Sequence, residues 1–469
     1  MNKTKLTYIL AAILLCCSIW APNASAASEA EKATAIQAGL AHLYAIQNAN
    51  GSWASGYYDA NTGAAVFAFI SQKTFWPADT AGSCVPATAT PPTCTSTAYK
   101  AAVDKGIQYL LGDGLTTPVS INGAGVNICP GGSGTCTAVY WAGQGEPTYS
   151  SGFVSSAIIG YATLFGGGAS ATVPNVSGSV LNGKTWGFIA QGIVNAFAAG
   201  QVTPTQSSGY AGGWHYNIFN NSDADMSTTQ WGVISTGYAE SLGAVAPNVV
   251  RTYLKNGFLP YTQAASGAGC YYPGTYCDQS NTGGWLTSMA FVGSANNTAT
   301  QNAMAWLSAH WNVNNSSTWL GLFHDAYAMW AVYKGLESNI GLQDNSHIAG
   351  ASLRTNCAGG ANGVAATAGK LPGSGVCNWY EDFNEYLVRA QDADGSWTTD
   401  GSGTNWPDPL NTSLFVNILG ATPLPASITT GGSTTPTPIP TPALSTVALA
   451  ALGLLLFGYA AKTLRKRSV

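Results

Sequence analysis

The sequence predicts an all-α fold in which six helical hairpins close into an (α/α)6 toroid, preceded by a signal peptide and followed by a transmembrane helix. Three observations predict it. The phrase QNANGSW at 47–53 returns as QDADGSW at 391–397, with leucine four residues before each glutamine (Leu43, Leu387). The same offset recurs at Leu259 and Gln263, with phenylalanine at Phe197 and Gln201, and in degenerate form at Leu110 and Gly114 and at Leu307 and Trp311. Each copy closes a segment with apolar residues spaced three and four apart, and a Gly/Asn/aromatic loop then leads to a second, almost uniformly apolar segment. An amphipathic helix covers a core, whereas a helix apolar all round is buried on both sides. Alternation of the two kinds therefore predicts an outer and an inner ring.

The elements follow in chain order. Residues 1–26 carry two lysines, an apolar run and the triplet Ala24-Ser25-Ala26, the pattern of a signal peptide removed by signal peptidase. The toroid is assigned to 27–424, with inner helices over 62–71, 148–165, 227–242, 282–292, 317–336 and 412–419. Asn61, Asp225, Asn281, Ser316 or Ser317, and Asn411 are the expected N-caps, since a short polar side chain there accepts an orphan helix N–H. Residues 425–442 form a Thr/Pro-rich linker. The apolar stretch 443–461 is long enough to span a bilayer, and the basic tail 462–469 places its end in the cytoplasm. The protein is thus expected to be exported across the inner membrane, to a periplasmic or cell-surface location, anchored by its C-terminal helix until processed.

Charge and cysteines agree. Removing the six basic residues of the two ends from a net charge of −4 leaves −10 for the exported part, which disfavours a nucleic-acid partner. The eight cysteines outside the leader fall into four neighbouring pairs, expected as disulfides: Cys84 with Cys94, Cys129 with Cys136, Cys270 with Cys277, and Cys357 with Cys377. Zinc is the alternative, but no pair has the tight CxxC spacing of a structural site. No metal or other cofactor is expected.

GLAHLYAIQNANGSW and EYLVRAQDADGSW resemble the QW-type repeat of squalene–hopene cyclases and protein prenyltransferase β subunits. That resemblance implies the toroid and offers chemistry to test. The cyclases protonate substrate with the middle aspartate of DxDD; here Asp223-Ala224-Asp225-Met226 puts Asp225 in the acid's place with Asp223 beside it, but replaces the last aspartate by Met226. The simpler reading makes Asp225 a helix cap. The prenyltransferase zinc histidine falls at Ala328, so that chemistry does not carry over. At the other end, PIPTP, apolar helix and basic tail resemble IPTL-CTERM and PEP-CTERM sorting signals, which implies an exosortase-type processing protease as partner.

All six outer-to-inner loops of such a ring emerge at one mouth. They bring together Trp214, Tyr216, Tyr271, Tyr272 and Tyr276, with Asp223 or Asp278 in reach of a ligand. Aromatic faces with carboxylates suit sugar-ring stacking and hydroxyl recognition, so binding of an envelope or matrix glycan is the leading expectation, ahead of catalysis. The enzyme alternatives are a glycoside-cleaving barrel, which needs two inward carboxylates, and a terpenoid cyclase-like enzyme. A lyase is disfavoured because these loops hold no lysine or arginine.

Overall fold

The computed structural model describes residues 27–53, 56–79, 95–132, 134–313, 321–323, 325–354, 378–397, 408–429 and 431. The expected signal peptide, transmembrane helix and sorting signal lie outside them. Among the described residues no helix is long and apolar enough to cross a membrane.

Two of the four expected disulfides form among the described residues, Cys129 with Cys136 and Cys270 with Cys277. The other two pairings do not gain the same support. Cys84 and Cys94 both lie outside the described residues, as do Cys357 and Cys377.

The fold is mostly helical. Outer helices α1 (Glu29–Ala45), α3 (Ser96–Asp113), α5 (Trp186–Gly200), α7, α9 (Thr298–Ala309) and α11 (Trp379–Ala390) alternate with inner helices α2 (Tyr58–Ser71), α4 (Pro147–Leu164), α6 (Met226–Ser241), α8 (Gln279–Phe291), α10 (Ala326–Ile340) and α12 (Asp408–Leu419). Helix α7 runs as Asn248–Tyr253, a π-helical turn Leu254–Phe258 and a last turn Leu259–Tyr261. The π turn has a local cause, because the Phe258 N–H leaves the helix to bond the Ala211 carbonyl at 2.6 Å. A short helix, α13 (Ala426–Thr429), follows.

The all-α expectation needs one correction. Two antiparallel pairs, β1 (Leu115–Val119) with β2 (Cys136–Tyr140) and β3 (Cys270–Tyr272) with β4 (Thr275–Cys277), form within the loops that lead into α4 and α8. The disulfides Cys129–Cys136 and Cys270–Cys277 staple them. So short a strand pair is marginal in water, and closing its loop covalently offsets that.

The inner helices contact one another in the order α2, α4, α6, α8, α10, α12, and α12 returns to α2. The repeated phrase explains how hairpins join. Gln47 Nε2 donates to Gly51 O in its own turn at 3.0 Å and to Ala102 O of α3 at 2.9 Å. Gln201, Gln263 and Gln391 do the same toward Val250 of α7, Ala299 of α9 and Ala35 of α1. Gly51 and Gly395 sit at φ 93° and 92°, and a Cβ there would lie 2.4 Å from Lys105 O or 2.3 Å from Ala38 O. Only glycine takes this backbone and lets the next outer helix approach.

The leucine four residues before the glutamine has an equally direct meaning. Its carbonyl is an orphan of the helix's last turn, and a buried indole N–H satisfies it. Trp53 reaches Leu43 O at 2.6 Å and Trp397 reaches Leu387 O at 2.9 Å. Trp141, Trp214 and Trp285 reach Leu110, Phe197 and Leu259 from 31, 17 and 26 residues away. In the fifth hairpin Trp311, standing at the glutamine's place, donates to Asp382 of α11 at 2.8 Å.

Several helix starts differ from expectation. Asp225 does cap α6, but α8 is capped by Asp278 rather than Asn281, and α10 by Asp325. Asn61 and Asn411 lie inside α2 and α12. The polar residues beginning the apolar runs serve the loops instead: Thr62, Ser151, Thr229 and Thr282 accept the backbone N–H of Trp53, Trp141, Trp214 and Gly269. Chain packing also continues past 424, for Ile428 is fully buried and α13 lies against α6, α8 and α10.

Candidate functional site

The loops entering the inner helices are tied to one another. Thr148 bonds the carbonyls of His215 and Tyr216, Gly143 N–H donates to Asp59 Oδ2 at 3.0 Å, and Gln279 holds His310 and Val313. Where the third and fourth loops meet, Tyr216 and Tyr271 share a hydroxyl hydrogen bond of 2.7 Å. Tyr272 lies edge-on to Tyr271 at 4.5 Å, and Tyr210 edge-on to Tyr272 at 6.2 Å. All four rings are half-buried. Beneath them Tyr149 packs 5.5 Å from Tyr216, its hydroxyl 3.4 Å from that of Tyr327. Tyr327 donates to Ser227 O at 2.8 Å and accepts from Gln230 Nε2 at 2.5 Å. The site is a tyrosine wall over a polar floor.

Of the rings expected there, Tyr216, Tyr271 and Tyr272 come together. Trp214 does not belong with them: it is fully buried, and its indole is spent on the Phe197 carbonyl. Tyr276 stands 68% exposed in the middle of β4 with φ 55°. Tyr149, Tyr210, Tyr327 and Gln230 are members that sequence reasoning missed. A tyrosine in the first turn of an inner helix, at 149 and 327, was the available signal.

The acids divide in the same way. Asp225 is 2% exposed and accepts from Thr228 N–H at 2.9 Å and from the Ser227 hydroxyl. Burial pushes its carboxyl up to about 6 against those hydrogen bonds. Asp278, expected to meet ligand, is 4% exposed and held by Asn281 N–H at 2.8 Å and Asn281 Nδ2 at 2.7 Å. Burial, with Asp325 nearby, pushes it up to about 7. Burial and then the charge of Asp113 raise Asp59 to about 7 as well. Asp223 is the accessible one, its side chain 44% exposed and 3.4 Å from His215 Nε2.

Two further features stand apart. A cleft of about 480 Å³ opens between Trp76, Phe165 and the start of α3, but its Lys100 and Asp104 pair with each other at 2.6 Å. Where the inner helices end, Lys334 is fully buried between the Trp330 and Tyr333 rings and bonds the Thr422 carbonyl. Burial depresses its ammonium to about 8 against the charge of Glu337. Among the described residues no group of three or more His, Cys, Asp or Glu is placed to hold a metal ion. No protein-family model and no curated protein matches the chain.

Proposed function

We propose that this chain is an exported (α/α)6 toroid that binds a glycan of the cell envelope or matrix at its tyrosine-lined mouth. The toroid reading is supported by the cyclic order of inner-helix contacts and by the Gln391 clasp, which carries the repeat's own bond from the last hairpin to the first. The leader, the C-terminal span and the processing partners rest on the sequence, and the two disulfides suit an oxidising compartment.

One observation carries the binding reading: Tyr216, Tyr271, Tyr272 and Tyr210 form one contiguous, half-buried wall with a hydroxyl pair at its centre. Such a wall offers flat faces for sugar rings and hydroxyls for their oxygens. The test is a glycan-binding screen of the purified protein, followed by Tyr216→Ala and Tyr271→Ala. Each should weaken a true ligand by about 1–3 kcal/mol while the fold survives. Unchanged affinity in both variants would place the ligand elsewhere.

A second reading has one observation in its favour. Asp225 is a buried carboxyl poised near neutrality beneath tyrosines, as a cyclase-like proton donor would require. Asp225→Asn discriminates. As a cap, asparagine keeps stability within a few tenths of a kcal/mol, so loss of a cyclisation activity at unchanged melting temperature would favour the enzyme.

A further inference from the structure

The mouth has a sign. The six loops between each outer helix and the inner helix that follows hold eight carboxylates and no lysine or arginine, although the chain between leader and linker has eleven such cations elsewhere. Three acids at the mouth, Asp59, Asp225 and Asp278, are buried with hydrogen-bond donors or other acids as neighbours. The accessible Asp223 and the half-buried Glu146 flank the tyrosine wall, close enough for their charges to bear on Tyr272 and Tyr216. His215 beside Asp223 is the one titratable base in the third loop.

A second, independent feature asks for a donor. Gln230 is 1% exposed, and while its amide nitrogen bonds the Tyr327 hydroxyl, its carbonyl oxygen has no hydrogen-bond partner among the described residues. A buried acceptor without a donor is costly, and this one lies in the polar floor under Tyr149. Tyrosine faces attract cations through their quadrupole, more strongly where water is excluded. An anionic polysaccharide would meet Asp223 and Glu146 with no lysine or arginine in these loops to pair with. A protonated amine would meet carboxylates and ring faces above that floor.

We propose that the mouth selects an amine-bearing saccharide, a glucosamine polymer lacking its N-acetyl groups, over neutral and acidic glycans. This rests on the glycan-binding reading above and adds the ligand's charge. Asp223 and Glu146 take the ammonium groups, while Tyr216, Tyr271 and Tyr272 take the ring faces.

The experiment is calorimetric titration of the full-length protein in detergent, at a pH where glucosamine amines are protonated. The probes are the glucosamine hexasaccharide, its fully N-acetylated form, a hexauronate and hexalysine. The deacetylated sugar should bind about ten-fold more tightly than the acetylated one, with the gap closing as salt rises. Asp223→Asn should shrink that preference, weakening the deacetylated sugar more than the acetylated one; an unchanged ratio between the two overturns the charge proposal. Equal or tighter binding of the acetylated sugar or the hexauronate overturns the charge proposal and leaves the glycan reading standing. Binding of hexalysine alone overturns both, and binding of none of the probes overturns the charge proposal while the glycan screen decides the glycan reading.

Discussion

Two junctions between hairpins solve the same problem with different chemistry. Where α8 meets α10, the contact is made by removing side chains. A Cβ on Gly283 would lie 2.4 Å from the Ala331 carbonyl carbon, and one on Gly335 would lie 2.6 Å from Gly283 O. Where the last hairpin meets the first, directed polar pairs are added to the glycine approach of Gly395 to Ala38. His42 on α1 lies 2.6 Å from Asp408 and 3.5 Å from Asp394, Arg389 pairs with Glu31 at 3.0 Å, and Gln391 bonds Ala35 O at 2.8 Å. Consecutive hairpins are delivered to each other by a connection of limited length, so shape alone can set their register. The seam joins segments some 350 residues apart (356 between Gln391 and Ala35), and directional bonds specify a pairing that chain connectivity does not.

The largest test of this contrast is to overfill the close-packed junction. Gly283→Val drives branched carbons into backbone and should cost about 3 kcal/mol, the upper end for overpacking, read by denaturant unfolding. A cost below about 1 kcal/mol would mean the junction yields, and the contrast would lose one side.

Removing a clasp comes next. Gln391→Ala and Gln263→Ala each remove two hydrogen bonds and should each cost about 1–3 kcal/mol. If the seam depends on such bonds more than other junctions do, Gln391→Ala should speed hydrogen exchange locally in α1 and α12. Gln263→Ala should leave α7 and α9 close to their original protection. Equal local loosening in both would erase the distinction.

A smaller effect follows from pH. Burial works to depress the His42 imidazole, but the hydrogen bond and charge of Asp408, with Asp394 behind, hold it above its ordinary 6.5. A base raised on folding contributes stability that is whole below the unfolded value and fades as pH rises through the folded one. The buried acids Asp225, Asp278 and Asp59, held up to about 6 or 7, also lose stability with rising pH, but starting from 3.8. His42→Gln should therefore lessen the decline above pH 6.5 and leave the decline from 3.8 to 6.5 unchanged in a stability–pH profile. An unchanged profile would show that the seam does not depend on this proton.

The smallest effect belongs to the exposed end of the seam. Arg389 is 54% exposed, so Arg389→Ala should cost at most about 1 kcal/mol, and less at high salt.

How much of this was legible depended on sequence distance. Glutamine, glycine and tryptophan fall within seven residues in the first and last hairpins, so the motif and its leucine partner could be read directly. Trp141, Trp214 and Trp285 do the same work from behind loops of different length, and no spacing rule finds them. That is why Trp214 reads, in the sequence alone, as a ligand-facing ring. The site was legible as composition, in tyrosines and acids within shared loops, but which acid becomes a cap depends on where a helix begins. Asp278 precedes a run whose obvious capping residue was Asn281, and the helix starts three residues earlier than that asparagine suggests. The strand pairs were hidden because so few residues carry them.

The clasp from Gln391 to Ala35 also says something about the order in which the molecule is born. A ribosome delivers α1 first and α12 nearly last, so the first hairpin waits, one flank unmet, while the rest of the chain is made. Bringing ends 356 residues apart costs roughly 5 kcal/mol from the chain-length term alone, and none of the seam's bonds offsets it until the last hairpin arrives. Completion is then sealed from below, since Thr422 and Leu424 bond Lys334 and Glu337, and Ile428 buries against Gly237. A chain ending between residues 397 and 422 can make the Gln391 clasp but lacks the contacts of Thr422, Leu424 and Ile428 behind it.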